Sequence, residues 1–203
     1  MTDSLTEQLF NAVRCKDISA VDTALRMGAD INGVDENGNT TLIEAVYNGY
    51  EDIVEYLIQI GADVNASNDF DTTALGTAAF RNQENCVKKL LKHGAKVDSE
   101  NYFGETPLIY AARYGNINMV KILLDGSADP EFETSLNKTA KHFARTHGHP
   151  EVLELLNSAI LEKQKQNEEK VKQGLEKTEE QHKTDQQRTR QENIRNFIRR
   201  ARR

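Results

Sequence analysis

Residues 105–116 read ETPLIYAARYGN, and this phrase recurs along the chain at a fixed interval. TTALGTAAFRN (72–82) and NTTLIEAVYNG (39–49) are earlier copies of it. Three sets of positions repeat every 33 residues over four copies: Thr40, Thr73, Thr106 and Thr139; Ala45, Ala78, Ala111 and Ala144; Ala29, Ala62, Ala95 and Ala128. Such a period is typical of proteins built from stacked repeats, in which no unit buries its apolar face alone.

One copy has the pattern of a helix pair joined by turns. Thr106 is a good N-cap, and Pro107 suits the first helical position, where its missing N–H is not needed. Leu108 and the alanines after it form a small apolar face. INMVKILL (117–124) then has apolar residues at helical spacing, which predicts a second helix. Each unit is therefore predicted to be two short helices and a connecting hairpin.

These residues resemble the ankyrin repeat, whose phrase T-P-L-H-x-A is closest to TPLIYA at 106–111. The resemblance implies an all-α solenoid of stacked helix pairs with hairpin loops. We predict an ankyrin-repeat domain over residues 1–161. Its five predicted units are 5–32, 33–65, 66–98, 99–131 and 132–161. The position before each first helix is Gly38, Asp71, Gly104 and Asn137 in the four later units, all residue types that tolerate left-handed backbone geometry.

The sequence contains no pattern that indicates catalysis, so we expect a non-enzymatic protein without cofactors. No phosphate-binding glycine loop, HExxH or GxSxG is present. His142, His147 and His149 lie close together, but the repeat phrase accounts for them better than a metal site does, and we expect no metal. Cys86 aligns with apolar positions of other repeats, whereas Cys15 aligns with a polar one.

No apolar run near the N-terminus suggests a leader, and none is long enough to cross a membrane. We therefore expect a soluble, cytoplasmic protein. Nuclear entry through an arginine-rich tail, or delivery into a host cell by an intracellular bacterium, are the alternatives.

The resemblance implies that a partner binds along the concave surface, which is made by hairpin tips and the exposed ends of first helices. Aromatic residues and arginines are concentrated at these positions, and both are typical of interface anchors. The alternative is that some of the aromatic rings fold back over neighbouring tips. The predicted partner-binding residues are Tyr47, Phe70, Phe80, Arg81, Tyr102, Phe103, Arg113 and Tyr114.

Acidic residues surround these positions and predict a rim that attracts cations. The predicted rim consists of Asp35, Glu36, Asp69, Asp71, Glu100 and Glu105. The partner is then expected to be another protein, bound through a segment with apolar and basic residues. We expect the chain itself to be a monomer.

Residues 162–203 form a charged tail that is predicted to be helical or disordered. The tail has 13 Lys and Arg against 8 Asp and Glu, whereas residues 1–161 have 13 against 24. Val171 and Leu175 are the sizeable aliphatic residues between 162 and 193, so a coiled-coil signal is weak. From residue 188 the tail is rich in arginine: Arg188, Arg190, Arg195, Arg199, Arg200, Arg202 and Arg203.

Two functional hypotheses follow. The first is a non-enzymatic scaffold or adaptor that binds a partner protein through the concave surface and hairpin tips. In the second, the arginine-rich tail carries the function by contacting nucleic acid or an anionic membrane, because Ile194, Phe197 and Ile198 make it amphipathic. The repeats would then position the tail. A solvated tail without a partner, or one that blocks the groove, are further alternatives.

Overall fold

The computed structural model describes the backbone of residues 4–201. It describes their side chains except for 176, 178–180, 182–183, 186–187 and 191–201. Over this range the chain forms ten helices. They are α1 (Ser4–Arg14), α2 (Ile18–Arg26), α3 (Thr41–Asn48), α4 (Glu51–Gln59), α5 (Ala74–Phe80), α6 (Glu84–Lys92), α7 (Pro107–Arg113), α8 (Ile117–Asp125), α9 (Ala140–Thr146) and α10 (Pro150–Ala201).

The helices stack in two rows, which confirms the predicted all-α solenoid. The first helices of successive pairs contact one another in the order α1, α3, α5, α7 and α9. The second helices α4, α6 and α8 form a parallel series of contacts behind them. In the described part of the chain, extended backbone pairing is limited to two isolated bridges, between Val34 and Thr40 and between Ser67 and Thr73.

The threonine that defines the repeat period directly precedes the first helix of each pair, in α3, α5, α7 and α9. The hydroxyl oxygen of that threonine accepts a hydrogen bond from the backbone N–H three residues later, as an N-cap does. The capping residues are Thr40, Thr73, Thr106 and Thr139. The predicted helix starts are therefore confirmed, and the repeated threonine has a structural cause.

One side chain closes each of the four hairpin tips, because its oxygen accepts hydrogen bonds from two backbone N–H groups of the same tip. Asn101 Oδ1 accepts hydrogen bonds from the backbone N–H groups of Phe103 and Glu105, both at 2.9 Å. Equivalent pairs of bonds are accepted by Asp35, Asn68 and Thr134. The predicted left-handed positions are confirmed, with φ of 73°, 55°, 70° and 54° at Gly38, Asp71, Gly104 and Asn137. Adjacent tips are also joined through their backbones, since Tyr102 N donates to Phe70 O at 2.9 Å.

The core runs between the two rows of helices. Leu42, Leu75 and Leu108 occupy the same repeat position and are at most 1% exposed. Lys141 takes that position in the last pair and is partly exposed, as expected for a terminal repeat with one face in water.

The chain divides into a compact unit that ends at Ala159 and a second unit that begins at Ile160. The predicted domain limit at residue 161 and the repeat limits stay predictions. Helix α10 continues from the last repeat through Ala201, so the described tail is helical. Its described side chains beyond Lys165 are exposed, including Val171 and Leu175, and they provide no apolar seam. No helix among the described residues is both long and apolar enough to cross a membrane.

Candidate partner-binding surface

The predicted aromatic residues of the first helices lie in one row at the helix ends. Tyr47 lies near the end of α3, Phe80 ends α5, and Tyr114 caps α7. Their side chains are 51%, 48% and 49% exposed. We call this row, together with Tyr110, the groove face. Large apolar side chains that are half exposed at consecutive repeats indicate a surface available for binding.

The groove face is preorganised by contacts between neighbouring repeats. The Phe80 ring packs edge-on against Tyr110 and Tyr114, with centroids 5.6 Å and 5.7 Å away. The guanidinium of Arg81 lies 4.6 Å from the centroid of the Tyr47 ring. Each such contact contributes about 0.5–1.5 kcal/mol. The rings are therefore held in place before any partner binds.

Tyr110 is a member of this surface that sequence reasoning missed. Its hydroxyl accepts a hydrogen bond from Asn101 Nδ2, which fixes the ring against the hairpin. Burial and the nearby Glu105 carboxylate raise the pKa of the Tyr110 hydroxyl above its usual value. The available signal was its position, because residues i, i+3 and i+4 share one helix face and Tyr110 precedes Arg113 and Tyr114 at that spacing.

The sequence predicts that Arg113 contacts the partner, but its side chain is already engaged within the protein. It forms an ion pair with Glu105, and the two side chains are only 23% and 12% exposed. The Arg113 guanidinium also lies 4.4 Å from the centroid of the Phe143 ring. Arg113 and Glu105 thus support the hairpin before α7, which corrects the expectation that one is an anchor and the other a rim charge.

The remaining predicted aromatic residues form a second group, which we call the tip row. Phe70, Tyr102 and Phe103 are 57%, 72% and 66% exposed. Tyr102 and Phe103 pack edge-on with centroids 5.5 Å apart. The alternative is that some rings fold back over neighbouring tips, and the exposure of more than half of each of these residues disfavours it.

Four of the six predicted rim acids are exposed, namely Glu36, Asp69, Asp71 and Glu100. Asp35 is a correction, because its side chain is 12% exposed and its oxygens accept three hydrogen bonds within its own hairpin. The exposed acids of the predicted rim therefore lie in or next to the turns of the hairpins.

An open cavity of about 330 Å³ lies within the groove face. Its aromatic walls are Tyr47, Phe80 and Tyr110. The rest of the lining comes from Asn39, Ile43, Glu44, Asn68, Thr72 and Thr77. We call it the anchor pocket.

The histidines of the last repeat have roles within the array. His149 Nε2 lies 2.9 Å from the carbonyl oxygen of Arg113, and His147 Nδ1 lies 3.0 Å from that of Phe143. Among the described residues, no group of three or more His, Cys, Asp and Glu side chains is placed to hold a metal ion.

The two cysteines are expected to differ sharply in reactivity. Cys86 is 0% exposed, and burial, with a smaller effect of Glu51, raises the pKa of its thiol to about 11. Cys15 is exposed. Because the thiolate is the reactive form, a disulfide reagent near pH 8 should modify one thiol rapidly in the folded protein and two after denaturation. A Cys15→Ser variant should lose the rapid phase, and a persisting rapid phase would show that Cys86 is accessible.

The arginine-rich tail is described in part. Arg188 and Arg190 lie on α10 and are exposed. The side chains of Arg195, Arg199 and Arg200, and the whole of Arg202 and Arg203, lie outside the described residues.

Comparison with known proteins agrees with the repeat architecture. A family model described as "Ankyrin repeats (3 copies)" matches residues 9–101 and 75–168, which together cover more than half of the chain. No curated protein matches the chain. Ankyrin repeats are generally modules for protein–protein interaction. The period, the capping threonines, the stacked helix pairs and this match together show that the chain belongs to the ankyrin-repeat family.

Proposed function

We propose that the chain is a non-enzymatic adaptor that binds another protein through the groove face and the tip row. The observation that carries this proposal is the set of half-exposed rings at the ends of α3, α5 and α7. A row of large apolar side chains is thus half exposed to water at three successive repeats.

Binding through these rings agrees with the physics of interfaces. Aromatic residues bury a large area while losing few rotatable bonds, and they are enriched among the residues that dominate binding free energy. The rings are preordered by their mutual contacts, so little conformational entropy is lost when a partner covers them. Family membership supports the same general role.

The test is affinity capture from nuclease-treated lysate with the full chain. The parent is compared with the triple variant Tyr47→Ala, Phe80→Ala, Tyr114→Ala. We expect the parent to capture a partner protein that the triple variant does not capture. A matched control replaces three exposed apolar residues at the ends of α2 and α4 with alanine, namely Ile18, Met27 and Ile60. The control should retain the partner. Equal capture by all three proteins would contradict a groove-face site.

The tail is a second candidate, favoured by its arginine content and by the helix that continues to Ala201. A full-length variant with Arg188 and Arg190 changed to glutamine reports on this alternative. Contacts to phosphates weaken steeply as the salt concentration rises, whereas binding in an aromatic groove does not. Capture that falls in this variant, and that occurs only without nuclease or only at low salt, would assign binding to the tail.

A further inference from the structure

We propose that the anchor pocket accepts a single uncharged side chain, aromatic or long aliphatic, from a segment of the partner protein whose flanking residues are basic. The flanking residues would meet the acidic turns beside the pocket. This inference rests on the proposed function and deepens it, since it specifies the chemistry of the segment that is bound.

The walls of the pocket are suited to one large apolar group. Phe80 and Tyr110 form a fixed edge-to-face pair, and Tyr110 is held at its hydroxyl by Asn101. Tyr47 comes from the preceding repeat and also lines the pocket. A volume of about 330 Å³ is at the lower end of the range for ligand sites and is enough for one side chain.

Several polar groups that line the pocket already have hydrogen-bond partners within the protein. Asn68 Oδ1 accepts two backbone hydrogen bonds from its own hairpin, and Asn68 Nδ2 donates to Asn39 Oδ1 at 2.8 Å. The Thr77 hydroxyl donates to the carbonyl oxygen of Thr73 at 3.0 Å. Covering a polar group that already has its hydrogen-bond partners costs little free energy. An apolar side chain can therefore cover Asn68 and Thr77 without depriving them of these hydrogen bonds.

The charges beside the pocket disfavour a cationic anchor. Arg14 Nε donates to Glu44 Oε1 at 2.9 Å, and the Glu44 side chain is only 15% exposed. Arg81 lies against the Tyr47 ring, where a second cation would otherwise bind. A lysine or arginine entering the pocket would meet a carboxylate that is already paired and two guanidinium groups nearby.

The hairpin turns beside the pocket are negatively charged. Asn68 and Thr72 line the pocket, and the exposed carboxylates of Asp69 and Asp71 lie between them in the chain. Glu36 is exposed on the preceding hairpin. Neither aspartate forms an ion pair with a described residue. Basic residues on either side of an apolar anchor would therefore find carboxylates to pair with.

The test is selection of random peptides of about twelve residues by display against the full-length chain, followed by affinity measurement with labelled peptides. We expect enrichment of peptides with one aromatic or long aliphatic residue between basic residues. Changing that residue to alanine should weaken binding about tenfold, and arginine at the same place should not restore it. Enrichment of acidic peptides, or of none, would overturn the inference.

Variants of the protein locate the binding site. Tyr47→Ala should weaken the selected peptides about tenfold, whereas Ile60→Ala should leave them unchanged. The pair Asp69→Asn and Asp71→Asn should weaken binding about threefold or more at low salt, with a smaller effect at high salt. The matched pair Asp125→Asn and Glu154→Gln removes the same charge elsewhere and should have no effect.

The outcomes separate this inference from the proposed function. If Tyr47→Ala binds the selected peptides as tightly as the parent does, the anchor pocket is wrong. The proposed function would still stand if the triple groove-face variant loses its captured protein. If that variant retains the protein, the proposed function fails whatever the peptides show.

Discussion

Replacing Leu108 with alanine is expected to lower the free energy of unfolding by about 2–5 kcal/mol, the range for removing a buried leucine side chain. Leu108 is 1% exposed and lies on α7, which contacts α5 on one side and α9 on the other. Packing from both sides prevents the structure from closing around the vacated volume. The loss is therefore expected to include the cavity as well as the lost burial.

Urea unfolding followed by circular dichroism measures this loss. The matched control is Leu136→Ala, which removes the same atoms from a hairpin tip where the side chain is 73% exposed. We expect the control to change the free energy of unfolding by no more than about 0.5 kcal/mol. A Leu108→Ala protein that unfolds at the parent's urea midpoint would show that the repeat register is wrong.

The fold was predictable because its determinants are local and repeated. Thr106 caps α7 through the N–H of a residue three positions away, and Gly104 has the positive φ that its place in the tip requires. Interactions of this kind depend on residue type and on spacing within one unit, so a single sequence contains them. Four copies then distinguish the pattern from chance.

The candidate site was predictable in outline and not in its contacts. The repeat register gives the exposed positions of Tyr47 and Phe80. It does not show that Tyr110 packs against Phe80, because these residues belong to different repeats and are 30 positions apart in the chain. Nor does it show that Glu105 reaches Arg113, since the two residues lie at opposite ends of α7.

The sequence likewise does not show the hydrogen bonds of Asp35, and this explains why its role differs from the predicted rim charge. In the sequence it is one of several acidic residues near a turn, and its charge suggests a rim. In the structure its oxygens accept hydrogen bonds from Asn37 and Asn39, which closes the hairpin. Asn101 has this role two repeats later without any charge. Comparing these aligned positions indicates that the oxygen, and not the charge, is what the position requires.

The second large effect is expected for Gly38→Ala, at the first hairpin tip. Gly38 has φ of 73°, a conformation that costs a residue with a Cβ about 1–2 kcal/mol. A Cβ there would also lie 2.3 Å from Asp69 Oδ1 and 2.7 Å from the backbone nitrogen of Asp69. Because a backbone atom is involved, rotation of a side chain cannot relieve the overlap, and the neighbouring hairpin has to move. We expect this displacement to cost about 1–3 kcal/mol more.

Gly28→Ala provides the matched control for Gly38→Ala. Gly28 has φ of 99°, but a Cβ there meets nothing within 4 Å, so its substitution reports backbone strain without a collision. The difference between the two variants in urea unfolding therefore measures how closely adjacent hairpins approach. Hydrogen exchange gives an independent readout, since the Asp69 N–H donates to Asn37 O at 3.2 Å and should exchange faster only in Gly38→Ala. Equal losses of stability in the two variants would mean that the hairpin tips are not held in contact. The tip row and the rim of the anchor pocket would then lack the rigid spacing that a preorganised binding surface requires.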